Sequence, residues 1–249
     1  MNILISGCSF THWPEVPEGP NICWPTHLKK FDSAYNITNL AEPAAGNQYI
    51  CNSVIHHCET DRPDLALVMW SGVSRLDYLT SLDDPAWASL FESYGFYRRI
   101  PGSRLGYIFS GGQMGTWFKH PVAHKMFYEM YKVSSDLSLA YINLIEIIKL
   151  QNYLESKGIP YRFMSYVNYW QRNNVPEFNG DFSVSRIPEL DNLISSIDFS
   201  RWIFSDEEKN GVYELGLKNN DFLPDGIHPG IVTHTEWAQT VNNAIRSDI

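Results

Sequence analysis

The sequence predicts an α/β fold, a parallel sheet carrying helices, and three observations predict it. Short apolar runs bounded by turn residues alternate with stretches of helical periodicity, which is the pattern of strands joined by helical crossovers. One of these runs, residues 65–70 (LALVMW), is apolar without interruption, as a strand buried on both faces requires. No window supplies the roughly 18 apolar residues that would direct the chain into a bilayer instead.

The elements follow in order. Residues 2–6 (NILIS) form the first strand, starting almost at the first residue with no basic leader, long apolar region or cleavage site, so the expected location is the cytosol. A loop from Gly7 to Pro20 leads to a helix near 22–31. Residues 35–40 (YNITNL) are the second strand, followed by AEPAAGN and a helix over 47–59. The third strand is 65–70. From about 78 to 133 the pattern changes to aromatics and glycine, with Trp87, Phe91, Tyr94, Phe96, Tyr97, Tyr107, Phe109, Trp117 and Phe118 around SGGQMG. This segment reads as an insertion within one domain spanning residues 1–249. Its aromatics serve as core, as an oligomer contact, or as a platform whose ring faces suit sugars. Helical spacing returns over 135–157 through Leu137, Ala140, Tyr141, Leu144, Ile145, Ile148 and Tyr153. Gly158 ends that helix, 160–166 (PYRFMSY) is the fourth strand, 186–220 holds short helices, and the last helix covers 231–246.

Composition limits the partners. With 249 residues, 44% of them hydrophobic and 19% charged, the chain can bury a full core. A net charge of −9 with no cluster of Lys and Arg argues against a nucleic-acid surface and favours a neutral or cationic partner. Cys8, Cys23, Cys51 and Cys58 form no CxxC pair and are expected as buried thiols, Cys51 and Cys58 sharing one helix face. His56 and His57 lack a third ligand at metal spacing.

In an open parallel sheet, binding sites gather at the carboxyl ends of the strands. Three loops there carry chemistry: SGCSFT after the first strand, AAGN after the second and WSGVSRLD after the third. Near the C-terminus FLPDGIHPG places an acid, Asp225, three residues ahead of His228, where it can orient the imidazole. In this order and on these strands, GCSF, AGN and DGIHP resemble the blocks of the SGNH (GDSL-type) hydrolases, and the likeness spans the α/β framework with residues 78–133 least covered. The resemblance implies a flavodoxin-like three-layer α/β/α sandwich and an esterase acting on a small-molecule or glycan ester without metal or organic cofactor. It makes Ser9 the nucleophile, Asp225 and His228 its triad partners, and Gly46 an oxyanion donor. The third block departs from the family pattern. Where the family has Gly-x-Asn-Asp this chain has SGVSRLD, so the oxyanion asparagine is replaced by Val73 or Ser74. Ser74, Arg75 or Asn47 is then expected to substitute, with an Arg75–Asp77 ion pair as the structural alternative. Other readings stay open. Ser9 can cap the next helix. Asp225, His228 and His234 offer zinc-type donors, although Pro229 and Gly230 break the helical spacing. An inactive carbohydrate-binding or structural protein and an acyltransferase are the alternatives to a hydrolase.

Overall fold

A computed structural model of the chain describes residues 1–12, 22–81, 83–85, 97–100, 103–112, 121–170, 184 and 187–247. In chain order its elements are β1 (Asn2–Ser6), α1 (Trp24–Phe31), β2 (Asn36–Asn39), α2 (Asn47–Thr60), β3 (Leu65–Trp70), β4 (Asp77–Ser81), β5 (Tyr97–Arg99), β6 (Leu105–Phe109), α3 (Pro121–Val133), α4 (Asp136–Ser156), β7 (Tyr161–Ser165), α5 (Asp191–Ile194), α6 (Val212–Asn219) and α7 (Ile231–Arg246). Short 3₁₀ turns at Pro188–Leu190 and Phe199–Arg201 lie between β7 and α6.

Four strands make a parallel sheet in the order β2-β1-β3-β7. Ile3 pairs with Ile37 on one side and Leu65 on the other, and Val68 pairs with Phe163. Beyond β7, Phe163 bridges Trp202 in parallel, and the Ile203 N–H donates to the Phe163 carbonyl at 2.8 Å, so a fifth strand position is reduced to one bridge. All six residues of β3 are buried. Each such Leu or Val withdrawn from water contributes about 1.5–3 kcal/mol, which is why an uninterrupted apolar run is stable only at the centre of a covered sheet. Helices α1 and α7 pack together, as do α2 and α4. The start of α4 is fixed by a capping box between Ser135 and Ser138, and the chain leaves it through Gly158 at φ +59°.

A second sheet, antiparallel in the order β4-β6-β5, lies within the expected insertion. Asp77 pairs with Phe109 and Tyr97 with Ile108. Tyr107 and Phe109 are buried, both edge-on to Tyr49 of α2, at 5.5 and 5.0 Å between ring centroids. These two aromatics are core. Trp87, Phe91, Tyr94, Phe96, Trp117 and Phe118 lie outside the described residues. The four cysteines are free thiols, Cys8, Cys23 and Cys51 buried and Cys58 partly so. Among the described residues, no helix is long and apolar enough to cross a membrane.

Candidate active site

At the carboxyl end of β1 the chain turns sharply. The N–H groups of Thr11 and His12 both donate to the Cys8 carbonyl, at 2.9 and 3.1 Å. A side chain on Gly7 would collide with Thr11 and press on the Met69 carbonyl, so only glycine admits this turn. Cys8 and Phe10 are buried on either side of Ser9, and the described helix α1 over Trp24–Phe31 has Cys23 as its cap.

Asp225 builds the turn that holds His228. Its Oδ1 accepts the N–H of Ile227 at 2.9 Å and of His228 at 3.0 Å, and Gly226 takes the left-handed φ of +70° that the reversal needs. The other oxygen, Oδ2, lies 2.7 Å from His228 Nδ1. A carboxylate there selects the Nδ1–H tautomer and leaves Nε2 as an acceptor. Nε2 is 2.8 Å from Ser9 Oγ, across 219 residues of sequence. The structure thus joins Ser9, His228 and Asp225 in one hydrogen-bonded line.

The environment sets their charge. Burial pushes the His228 imidazole below its ordinary pKa, the hydrogen bond and charge of Asp225 push back, and the Arg75 cation adds to the lowering. At Asp225, burial pushes the carboxyl up, but the N–H and ring of His228 and the N–H of Ile227 outweigh it and hold the group below the usual carboxylate range. His234, which the zinc reading joined to this pair, is buried in α7, and burial lowers its pKa to about 3, with the charges of His228 and His27 adding to the effect. Among the described residues, no group of three or more His, Cys, Asp or Glu is placed to hold a metal.

The remaining predicted residues are brought to the same rim but engaged differently from expectation. The Gly46 N–H, the expected oxyanion donor, donates to Asp77 Oδ1 at 2.8 Å, while Asp77 Oδ2 accepts the Tyr49 N–H at 2.8 Å. Gly46 is the N-cap of α2 and has no side chain to cap with, so Asp77 supplies that carboxylate from β4. Burial lifts Asp77 to about pKa 7, against these two donors and the charge of Arg75. The Asn47 amide is also committed. Its Nδ2 donates to the Ser71 carbonyl (3.1 Å) and to Asn143 Oδ1 (2.8 Å), and its Oδ1 accepts the Ser71 N–H (2.7 Å). Ser74 is buried, with its carbonyl accepting the Tyr131 hydroxyl at 2.8 Å. Arg75 is 6% exposed. Its Nη1 donates to the Ala45 carbonyl at 3.3 Å, and its guanidinium carbon lies 5.7 Å from the centroid of the Tyr166 ring.

Sequence reasoning missed three contributors. Phe10 stacks on Tyr166 at 4.3 Å and tilts against the His228 ring at 5.0 Å, which walls the imidazole with aromatic surface. Tyr166 was signalled by its place at the carboxyl end of the fourth strand, and Phe10 by following Ser9. Asp77 entered only as a partner for Arg75, and its hold on α2 had no local signal.

No family model matches the sequence, and no curated protein matches it. Solved structures do. The esterase EstA from Pseudoalteromonas sp. superposes with a TM-score of 0.51 at 10% identity, covering 98% of each chain. A member of the lipolytic G-D-S-L family from Veillonella parvula DSM 2008 gives 0.50 at 11% identity over 99% of this chain and 98% of that one. A catalytic mutant of an acetylxylan esterase from Geobacillus stearothermophilus gives 0.51 at 9% identity over 98% and 93%. At this identity the likeness is one of fold.

Proposed function

We propose that this chain, which has the fold of the SGNH (GDSL-type) hydrolases, is a serine esterase that cleaves a carboxylic ester through an acyl-enzyme at Ser9. One observation carries the reading: Ser9 Oγ, His228 and Asp225 stand in hydrogen-bond contact at 2.8 and 2.7 Å. A serine hydroxyl is a weak nucleophile at neutral pH and needs a base within reach of its proton. His228 Nε2 takes that proton as Oγ attacks the ester carbonyl, then delivers it to the departing alkoxide, which leaves as the alcohol. Asp225 holds the ring in the receptive tautomer and balances the imidazolium charge. Water then attacks the acyl-enzyme, giving its proton to the same nitrogen, and Ser9 departs as the leaving group with that proton returned. The Ser9 N–H, which meets no acceptor among the described residues, is aimed by the tight turn and serves as an oxyanion donor.

An acyl group on a carbohydrate fits as substrate. One of the structures sharing the fold is an acetylxylan esterase, which supports this substrate class. A second reading, a catalytically weak sugar-binding protein, is favoured by one observation, the engagement of the Gly46 N–H and the Asn47 amide.

The test is turnover of p-nitrophenyl acetate and butyrate, with stoichiometric labelling of Ser9 by an alkyl fluorophosphonate read by peptide mass spectrometry. Hydrolysis and labelling that both vanish in Ser9→Ala support the esterase. A wild-type protein that neither hydrolyses nor labels, yet binds xylo-oligosaccharides, establishes the second reading.

A further inference from the structure

We propose that Asp221 is the positioning residue for the general base: its carboxylate caps α7 from outside that helix and so fixes the hairpin of residues 221–230 on which His228 reaches Ser9. The inference rests on the esterase reading above. It starts from the way the hairpin is closed. Helix α6 stops at Asn220, in the left-handed conformation at φ +47°, and the Asp221 N–H turns back to the Gly216 carbonyl at 3.1 Å. The chain then runs out and returns as two short legs. The Leu223 N–H donates to the His228 carbonyl at 2.8 Å, Phe222 bridges Pro229 in antiparallel pairing, and the Gly230 N–H donates to the Asp221 carbonyl at 2.9 Å. The main chain of His228 is therefore held at both its groups, since its own N–H meets Asp225.

Asp225 shapes the tip of this hairpin, but the legs decide where the tip stands. Both legs meet the start of α7. Gly230 is the N-cap of that helix and has no side chain to offer its first amides. Asp221 fills the role. Its Oδ2 accepts the Thr233 N–H at 2.7 Å, where the positive end of the helix also favours a carboxylate. The other oxygen, Oδ1, lies so close to Gly230 that a side chain on that residue would collide with it. The helix behind is a firm base, because α7 buries Trp237, Ala238, Val241 and Ile245 and packs against α1. One carboxylate thus joins the first residue of the hairpin, its last residue and a helix seated in the core.

The tolerance for error at the tip is small. His228 Nε2 and Ser9 Oγ stand 2.8 Å apart, and misplacing a reacting group by about 1 Å costs on the order of 10²-fold in rate. A hairpin released from α7 keeps its Asp225–His228 pair, whose members are three residues apart, but loses its fixed distance to Ser9.

Four variants, Asp221→Ala, Asp221→Asn, Gly230→Ala and the double Asp221→Ala/Gly230→Ala, would be compared with wild type on p-nitrophenyl acetate, with thermal melts to check folding. Ser135→Ala, which removes the side-chain cap of α4, is the control. Asp221→Ala and Ser135→Ala are each expected to lower the melting temperature by a few degrees, the usual result of losing one cap. Only Asp221→Ala should lose kcat, by ~10- to 10²-fold with little change in KM. The acid limb of its kcat/KM should also move to higher pH, because burial is what lowers the imidazole and a loosened ring regains water. Asp221→Asn, which keeps an oxygen for the Thr233 N–H, should recover most of the rate. Gly230→Ala drives the carboxylate off α7 and should resemble Asp221→Ala, while the double variant, with the methyl in the space the carboxylate leaves, should be no worse than Asp221→Ala alone. A folded Asp221→Ala protein with wild-type kcat and acid limb, or equal kcat losses in Asp221→Ala and Ser135→Ala, overturns the assignment and leaves the esterase reading intact. If Asp221→Ala does not fold, Gly230→Ala is read by the same criteria. A wild type that hydrolyses no ester removes both.

Discussion

The two sides of the proposed catalytic rim are built on different principles. On the proton-transfer side, Asp225 and His228 are three residues apart and Asp225 shapes its own turn, so a single long-range contact, to Ser9, completes the line. On the side where an oxyanion was expected to be met, each residue is engaged by a distant one. Gly46 is met by Asp77 from the second sheet, Asn47 by Asn143 from α4, and Arg75 by Ala45 and Tyr166. The first arrangement carries its own geometry, and the second is assembled from loops and depends on what those loops touch.

The sharpest way to break this contrast is to disable the proton-transfer side. Ser9→Ala and His228→Ala are each expected to cost ~10⁵- to 10⁶-fold in kcat with melting temperatures near wild type, and the double variant should be little worse than either. Asp225→Asn should cost about 10⁴-fold, because an amide N–H facing Nδ1 favours the wrong tautomer. Steady-state kinetics on a neutral ester reads all three, and additive losses would show that the residues do not act as a unit.

Stability in acid probes the ground beneath that side. Burial lowers the folded pKa of His234 to about 3, well under the ordinary imidazole value, and His228 is lowered in the same direction. Both groups bind protons more weakly folded than unfolded. The contribution of His234 is present above about pH 6.5 and is lost as pH falls toward 3, by at most ~1.4 kcal/mol per pH unit, and His228 adds a loss of the same sign. Urea midpoints at pH 7, 5.5 and 4 should fall accordingly, and His234→Leu should flatten the decline. An unchanged slope in that variant would remove His234 as a cause.

The smallest effect sharpens the other half of the contrast. Asp77→Ala removes the distant cap of α2 and should cost about 0.5–2 kcal/mol. It also releases the Gly46 N–H, so kcat is expected not to fall. A stability loss accompanied by a tenfold loss of kcat would make Asp77 part of the catalytic apparatus instead of a helix cap.

The same contrast governs what the sequence discloses. Strand β3 has the bounds its apolar run predicts, and α4 and α7 fall within a residue of theirs, because hydrophobic period and glycine stops are local signals. The helix expected near 22–31 is described over Trp24–Phe31, with Cys23 as cap and Pro25 in its first turn. The second strand is trimmed to Asn36–Asn39, a mostly exposed edge with little apolar pattern to mark its ends. The antiparallel sheet was not foreseen, since Tyr107 and Phe109 look alike in a platform and in a core until Tyr49 is placed against them. Ser9, Asp225 and His228 were legible as a set. That Gly46 and Asn47 would be occupied was not, because their partners lie 31 and 96 residues away.

The reduction of the fifth strand position to the Phe163–Trp202 bridge bears on how the molecule behaves in company. An extended border of unsatisfied amides invites a neighbouring chain to zip onto it. Here the chain passes Phe163 once and turns into a cluster of large rings, Trp170, Phe199, Trp202 and Phe204. That corner gives a stranger almost nothing to register against, so crowding at high concentration should leave the parallel sheet unjoined along this flank.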